Sequence, residues 1–279
     1  MKTVLRFFAL FAVFALITET FVIWSGFSSE SVTFIMWSVG LAAIITLKWE
    51  GKPLAELGWH WGEARYQWIA LGLPFVYGTI AYSLAGILGL ASFAAPVLQS
   101  TLIENGPLAN WGAAFALLPT VLLIFVAGVI NAFARALGEE IGWRGFLTPR
   151  LTQVWGFGLA TLVTGFIWGV WHFPGLLFSD YNAGGNQIWE MGSFLLMVTA
   201  MSGPMAWLRL KSGSLWPAAT FHAAHNVFIQ RILDPMTVRG EGDITMVSEF
   251  GIVFALVVVI VCVPFWIGGI REFRKGAPA

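Results

Sequence analysis

The sequence predicts an all-α, polytopic transmembrane helix bundle of about eight spans, with an active site in its core. Three observations carry that prediction. The 279 residues are 58% hydrophobic and only 11% charged, with a mean hydropathy of +0.78, whereas soluble domains run to about a quarter charged. Apolar runs of the length needed to cross a bilayer, about 20 residues, recur along the chain. The Lys and Arg residues collect in alternate connections, as the positive-inside rule requires of a chain that crosses repeatedly.

The runs extend over about Val4 to Gly26, Val32 to Leu47, Trp68 to Ala91, Trp111 to Ala134, Phe157 to Phe178, Met191 to Leu210, Leu215 to Ile232 and Phe250 to Ile270. Lys2 and Arg6 at the start of the first give it the look of a signal peptide. Its length and the lack of a small-x-small boundary instead predict an uncleaved first span. With the N-terminus inside, an even number of spans puts both termini in the cytoplasm. Lys48, Lys52, Arg65, Arg135, Arg144, Arg150, Arg209, Lys211, Arg271, Arg274 and Lys275 then join Lys2 and Arg6 on that side, leaving Arg231 and Arg239 outside. Lys48 to Tyr66, with Trp49, Trp59 and Trp61 among charges, reads as a short interfacial helix. Breaker residues mark outer loops near Ala95 to Asn110 and Ser179 to Gln187. Three stretches follow: N-terminal helices and interfacial segment (1–110), a polar-bearing core (111–232), and an outer loop with a last helix (233–279).

A formal net charge of +0 leaves no cationic excess to displace phosphate counterions, so nucleic acid is not an expected partner; membrane lipid is. Cys262, the single cysteine, allows no intrachain disulfide and no cysteine-based metal site.

Ionisable groups inside spans cost roughly 2.5–3.5 kcal/mol each on insertion scales and so mark function. Glu19 stands alone and reads as structural, as does His60 in the interfacial segment. The informative stretch is Gly138-Glu139-Glu140-Ile141-Gly142-Trp143-Arg144-Gly145. Neighbouring carboxylates point about 100° apart on a helix. Glu140 and Arg144, at i and i+4, suit an ion-pair clamp, which leaves Glu139 facing elsewhere as a base or metal ligand. A second helix offers His172 in Trp168-Gly-Val-Trp171-His172-Phe173-Pro174. A third offers His222 and Asn226 on one face, with His225 offset. Glu139 with His172 could activate water while His222 and Asn226 hold an oxyanion; alternatively Glu139, His172 and His222 could hold Zn²⁺. The residues alone leave metal-dependent and metal-free chemistry both open.

Glu139-Glu140-x-x-x-Arg144, then an aromatic-x-x-x-His172, then His222-x-x-x-Asn226, in that order, resembles the CPBP (CAAX prenyl protease and bacteriocin-processing, or Abi) family of intramembrane proteases. The resemblance covers roughly Trp111 to Ile232. It implies that Glu139 and His172 activate the water, that His222 and Asn226 form the oxyanion hole, and that Glu140 and Arg144 support the site; His225 lies outside the motif and is read as a supporting residue. It implies a membrane-associated or lipidated peptide substrate, residence in a bacterial cytoplasmic membrane, and a mechanism described both with and without zinc. One departure is Trp168, where the motif commonly has Phe; with an aromatic kept, only packing is expected to change. The rival classes are a transporter or proton-coupled channel, and a non-catalytic immunity or scaffold protein.

Overall fold

A computed structural model describes residues 1–26, 28–93, 113–239 and 246–274. The chain forms α1 (Lys2–Ser25), α2 (Ser29–Trp49), a 3-10 turn (Leu54–Leu57), α3 (Ala64–Ile87), strand β1 (Ala91–Phe93), α4 (Ala113–Glu140), a π-helix (Ile141–Leu147), α5 (Thr148–Trp171), α6 (Phe173–Phe178), α7 (Gln187–Ser212), α8 (Trp216–His225), a second π-helix (Asn226–Leu233), strand β2 (Thr237–Arg239) and α9 (Ile252–Glu272). The all-α bundle expected from the sequence is the architecture found. Among the described residues a two-stranded antiparallel sheet is added, which pairs Ala91 with Arg239 and Phe93 with Thr237. It ties the end of α3 to the chain beyond the second π-helix.

Among the described residues six segments are long and apolar enough to cross a membrane: Lys2–Ser25, Glu30–Trp49, Ala64–Ile87, Val126–Phe178, Gln187–Ser212 and Ile252–Glu272. The fourth has 53 residues, about 80 Å if it were one straight helix, far beyond a bilayer core of about 30 Å. Gly156, at φ 75° and ψ 168°, breaks it inside α5 and turns the chain back. Leu215 to Ile232, expected as a span in its own right, is the ten-residue α8 continued by the second π-helix, and is not among the six.

Polar contacts define two ends. At one, the basal end, Arg6 meets Glu50 at 3.0 Å, Lys52 meets Glu50 at 3.2 Å and Lys211 meets Glu272 at 2.9 Å, while Arg150 pairs with Glu56. These contacts gather the start of α1 and the ends of α2, α7 and α9. The distal end carries the α1–α2 connection, residues 179–186 and the small sheet. There a reciprocal cap starts α2: the Ser31 amide donates to the Ser28 hydroxyl at 3.2 Å and the Ser28 amide to the Ser31 hydroxyl at 2.8 Å, satisfying donors that the first turn of a helix leaves open.

α2 and α4 run alongside in the same direction. Arg135 Nε donates to Thr33 Oγ1 at 3.1 Å and Trp37 Nε1 to the Ala134 carbonyl at 3.1 Å. Further along, a methyl on Gly142 would stand 2.7 Å from the Val39 carbonyl oxygen, and one on Gly138 2.9 Å from the Trp37 ring. Small residues here let the backbones approach.

Three expectations need correction. The fourth span does not end near Ala134 with Glu139 at its cytoplasmic end; the helix runs through Glu140 and the π-helix into α5, which leaves Glu139 deep in the bundle, level with the middle of α2. Arg135 does not join the basal cations, because α4 places it beside Thr33 in the first turns of α2. The Lys48 to Tyr66 segment is not an interfacial helix. Its 3-10 turn buries Leu57 completely under Gly145 of the first π-helix, while Trp49, Trp61 and Trp68 stay exposed. The expected outer loop Ala95 to Asn110 lies wholly outside the described residues.

Candidate active site

Two π-helices sit directly against the polar motifs, one following Glu139–Glu140 and the other beginning at Asn226. π-turns inside longer helices are rare and concentrate at functional sites. All seven residues of the first, Ile141–Leu147, are buried.

A cavity of about 160 Å³ lies where α1, α2, α4, the α5–α6 junction and the α8 helix meet. Glu139, His172, His222 and Asn226 all line it, so the four residues singled out by sequence come together from three helical segments. Glu139 Oε2 accepts from Trp168 Nε1 at 2.6 Å. Its other oxygen, Oε1, is buried with no hydrogen-bond partner among the described residues, an arrangement costly to leave unmade.

Histidine orientation follows from what each Nδ1 meets. His172 caps α5, and its Nδ1 is 2.8 Å from the Trp168 carbonyl. A carbonyl only accepts, so Nδ1 carries the hydrogen and Nε2 of the neutral ring carries the lone pair. His222 Nδ1 is 3.0 Å from Glu140 Oε1. By the same logic it donates there, and Nε2 carries a hydrogen only in the imidazolium form.

Glu140 and Arg144 do pair, at 2.9 Å, with both side chains almost wholly buried. Arg144 also donates to Ser202 Oγ on α7 at 2.9 Å, and its guanidinium lies 4.3 Å from the centre of the Trp168 ring. The carboxylate that orients His222 is thus itself held by Arg144, which α7 and Trp168 fix from two sides.

His225 does not line the cavity. It is buried behind it, with Nδ1 2.8 Å from the Tyr77 hydroxyl and Nε2 3.5 Å from Glu249. Gln230 faces the cavity and donates to both oxygens of Glu249, at 3.0 and 3.3 Å. Because a carboxylate accepts only, Gln230's amide nitrogen is committed to Glu249. Tyr181, also on the wall, is pushed well above the ordinary phenol range by burial and then by the Glu249 carboxylate, so it stays protonated at neutral pH. Glu19, read from sequence as structural, lines the cavity too. Sequence reasoning missed Ser202, Gln230, Tyr181 and Glu249, and it assigned Trp168 to packing when its indole N–H reaches Glu139. The one signal available for Trp168 was its departure from Phe, a change that adds a donor.

Glu139, His172 and His222 are the residues that would hold zinc if the chemistry used it. Among the described residues no three His, Cys, Asp or Glu side chains are grouped closely enough to hold a metal ion, and no chemical step is therefore routed through one.

Fold and cavity together define a polytopic α-helical membrane protein with a glutamate–histidine–asparagine site inside the bundle. Residues 109–228 match the family described as Type II CAAX prenyl endopeptidase Rce1-like, a stretch holding all four of those residues. The chain is 29% identical over 107 residues to the CAAX prenyl protease 2 of Methanococcus maripaludis; the aligned part is 37% of this chain and 40% of that relative. The chain thus spans less than half the length of the curated relative it matches.

Proposed function

We propose that the protein is an intramembrane endopeptidase that hydrolyses a peptide bond of a membrane-associated substrate with water activated by Glu139 and His172. The observation that carries this is Glu139 Oε1, left without a hydrogen bond among the described residues, on a cavity wall shared with His172, His222 and Asn226. Water in the cavity gives one hydrogen to Glu139 while the His172 Nε2 lone pair accepts from the other. The water oxygen adds to the scissile carbonyl carbon. The oxyanion that forms takes hydrogen bonds from the Asn226 amide and, when His222 is imidazolium, from its Nε2. Glu139 then returns its proton to the departing amine as the C–N bond breaks. Glu140 and Arg144 act at one remove, by fixing His222.

Preorganised donors aimed at the developing charge and a placed base are the larger contributions in such a site. Replacing Glu139 by Gln keeps size and deletes the base. Cleavage of a membrane peptide substrate in proteoliposomes is expected to fall about 10²–10⁴-fold, and activity is expected to persist after exhaustive chelation. Unchanged cleavage by Glu139→Gln removes the hydrolase reading. Loss of ion flux in place of cleavage favours the transporter alternative, loss of neither favours the non-catalytic immunity or scaffold alternative, and activity abolished by chelation and restored by Zn²⁺ overturns the metal-free mechanism.

A further inference from the structure

We infer that a second cavity, at the basal end and separate from the Glu139 site, binds a phosphate-bearing anion, carried on the headgroup of an acidic phospholipid or free in solution.

This cavity of about 600 Å³ lies between the start of α1, the connection from α2 to α3, the start of α5 and the end of α7. Lys52, Arg150 and Arg209 line it against one carboxylate, Glu56, with Thr3 and Gln153 as neutral polar neighbours. Among the described residues none lines both this cavity and the one around Glu139.

Arg209 is the group that calls for a ligand. It stands in the last turn of α7 and is only 7% exposed. Its guanidinium donates to the Gly213 carbonyl at 2.7 Å and to the Glu56 carbonyl at 3.2 Å, while Nε is buried with no partner among the described residues. Those two bonds leave further N–H groups of the fork open. The Glu56 carboxylate is taken by Arg150 instead, so Arg209 has no ion-pair partner among the described residues. Buried charges are ordinarily paired, and an arginine fork matches the geometry of a phosphate.

The other two cations are held in place before any ligand arrives. Arg150 donates to the Phe146 carbonyl at 3.0 Å, and its guanidinium lies 4.1 Å from the centre of the Phe146 ring. Lys52 Nζ is 3.2 Å from Glu50 and 3.4 Å from Thr3 Oγ1. Three cations from three separate elements around one space repel one another. A phosphate among them replaces that repulsion with attraction and ties the start of α5 and the end of α7 to the chain after α2.

The surroundings are those of a membrane surface. Val154 on the wall and Trp155 beside it are exposed, as are Trp49 and Trp61, and the Arg6 guanidinium lies 5.8 Å from the centre of the Trp49 ring. Exposed Trp among cations marks the headgroup level of a bilayer, the depth at which lipid phosphates lie.

The whole protein, purified in non-ionic detergent and stripped of lipid, is titrated with dioctanoyl phosphatidylglycerol, the zwitterionic dioctanoyl phosphatidylcholine, inorganic phosphate, or chloride at matched ionic strength, and its unfolding midpoint is followed. A ligand of the folded state raises that midpoint with concentration. A rise with phosphatidylglycerol beyond that with phosphatidylcholine is expected and names the lipid headgroup as the source; a rise with inorganic phosphate alone, beyond that with chloride, names the free anion. Arg209→Gln removes the central cation together with its two backbone contacts. Gln153→Glu is the second variant: Gln153 is exposed on the wall, so the change adds a negative charge there and leaves the packing alone. Each variant is expected to raise the concentration that gives half the effect by about tenfold or more, the loss of one charge-assisted contact. Midpoints that rise no further than with chloride and phosphatidylcholine, or a Gln153→Glu protein that responds as the unaltered chain does, overturn the inference.

Discussion

Trp168 reaches Glu139, His172 and His222 of the site and the Arg144 that supports it. Its N–H holds Glu139, its carbonyl holds His172, its ring covers Arg144 and lies 5.3 Å, centre to centre, from the ring of His222. Hydrogen bonds to charged groups contribute about 1.5–3 kcal/mol. Trp168→Phe keeps an aromatic ring beside Arg144 but removes the N–H together with part of the indole, so kcat is expected to fall roughly tenfold or more with KM little changed and a modest loss of thermal stability from the space opened. Steady-state kinetics on the purified variant check this, and a rise in KM with kcat intact would assign Trp168 to substrate binding instead. At this scale the sequence was legible where the membrane makes polarity conspicuous. Glu139, His172, His222 and Asn226 stand out because each is expensive in a span. Ser202, Gln230 and Glu249 did not, since nothing local marks a serine in a Ser-Gly-Pro run, or a glutamate just ahead of α9, as facing a site formed by distant helices.

Among the elements, α2 and α4 with its π-helix are held together by glycines. A methyl at Gly142 would meet the Val39 backbone and side chain, and one at Gly40 would overlap the Gly138 carbonyl. Backbone cannot yield as a side-chain tip can, and overpacking a close contact costs about 1–3 kcal/mol. Gly142→Ala is therefore expected to lower the unfolding midpoint in detergent and to reduce activity with it, because the contact fixes the turn that follows Glu139. Gly72 has no neighbour within reach, and Gly72→Ala is the matched control with no such loss. Most helices were legible as apolar runs. The π-turns were not, because hydrophobicity and propensity do not encode an i→i+5 pattern; the same blindness put the end of the fourth span near Ala134.

For the molecule as a whole, the charge pattern foresaw a basic end, and the contacts between Arg6 and Glu50 and between Lys211 and Glu272 bring the start of α1 and the end of α9 to it. Reporter fusions before Lys2 and after Arg274 are expected to read the same compartment, the cytoplasm; opposite readings would break the arrangement of the bundle. The depth of the site was not legible at this scale. A count of cations assigns residues to loops, but Arg135 belongs to a cavity wall within the bundle, and only packing against Thr33 reveals it.

The first π-helix has a consequence for anyone wishing to borrow this chemistry. A turn that closes i→i+5 takes up roughly one residue more than an α-turn, and each residue of an α-helix advances about 100°. Grafting Glu139 to Thr148 onto a straight designed α-helix would therefore rotate everything after Glu140 by about that angle relative to Glu139. The motif is not portable as a string of letters; what must be copied is the helical gear change that accompanies it.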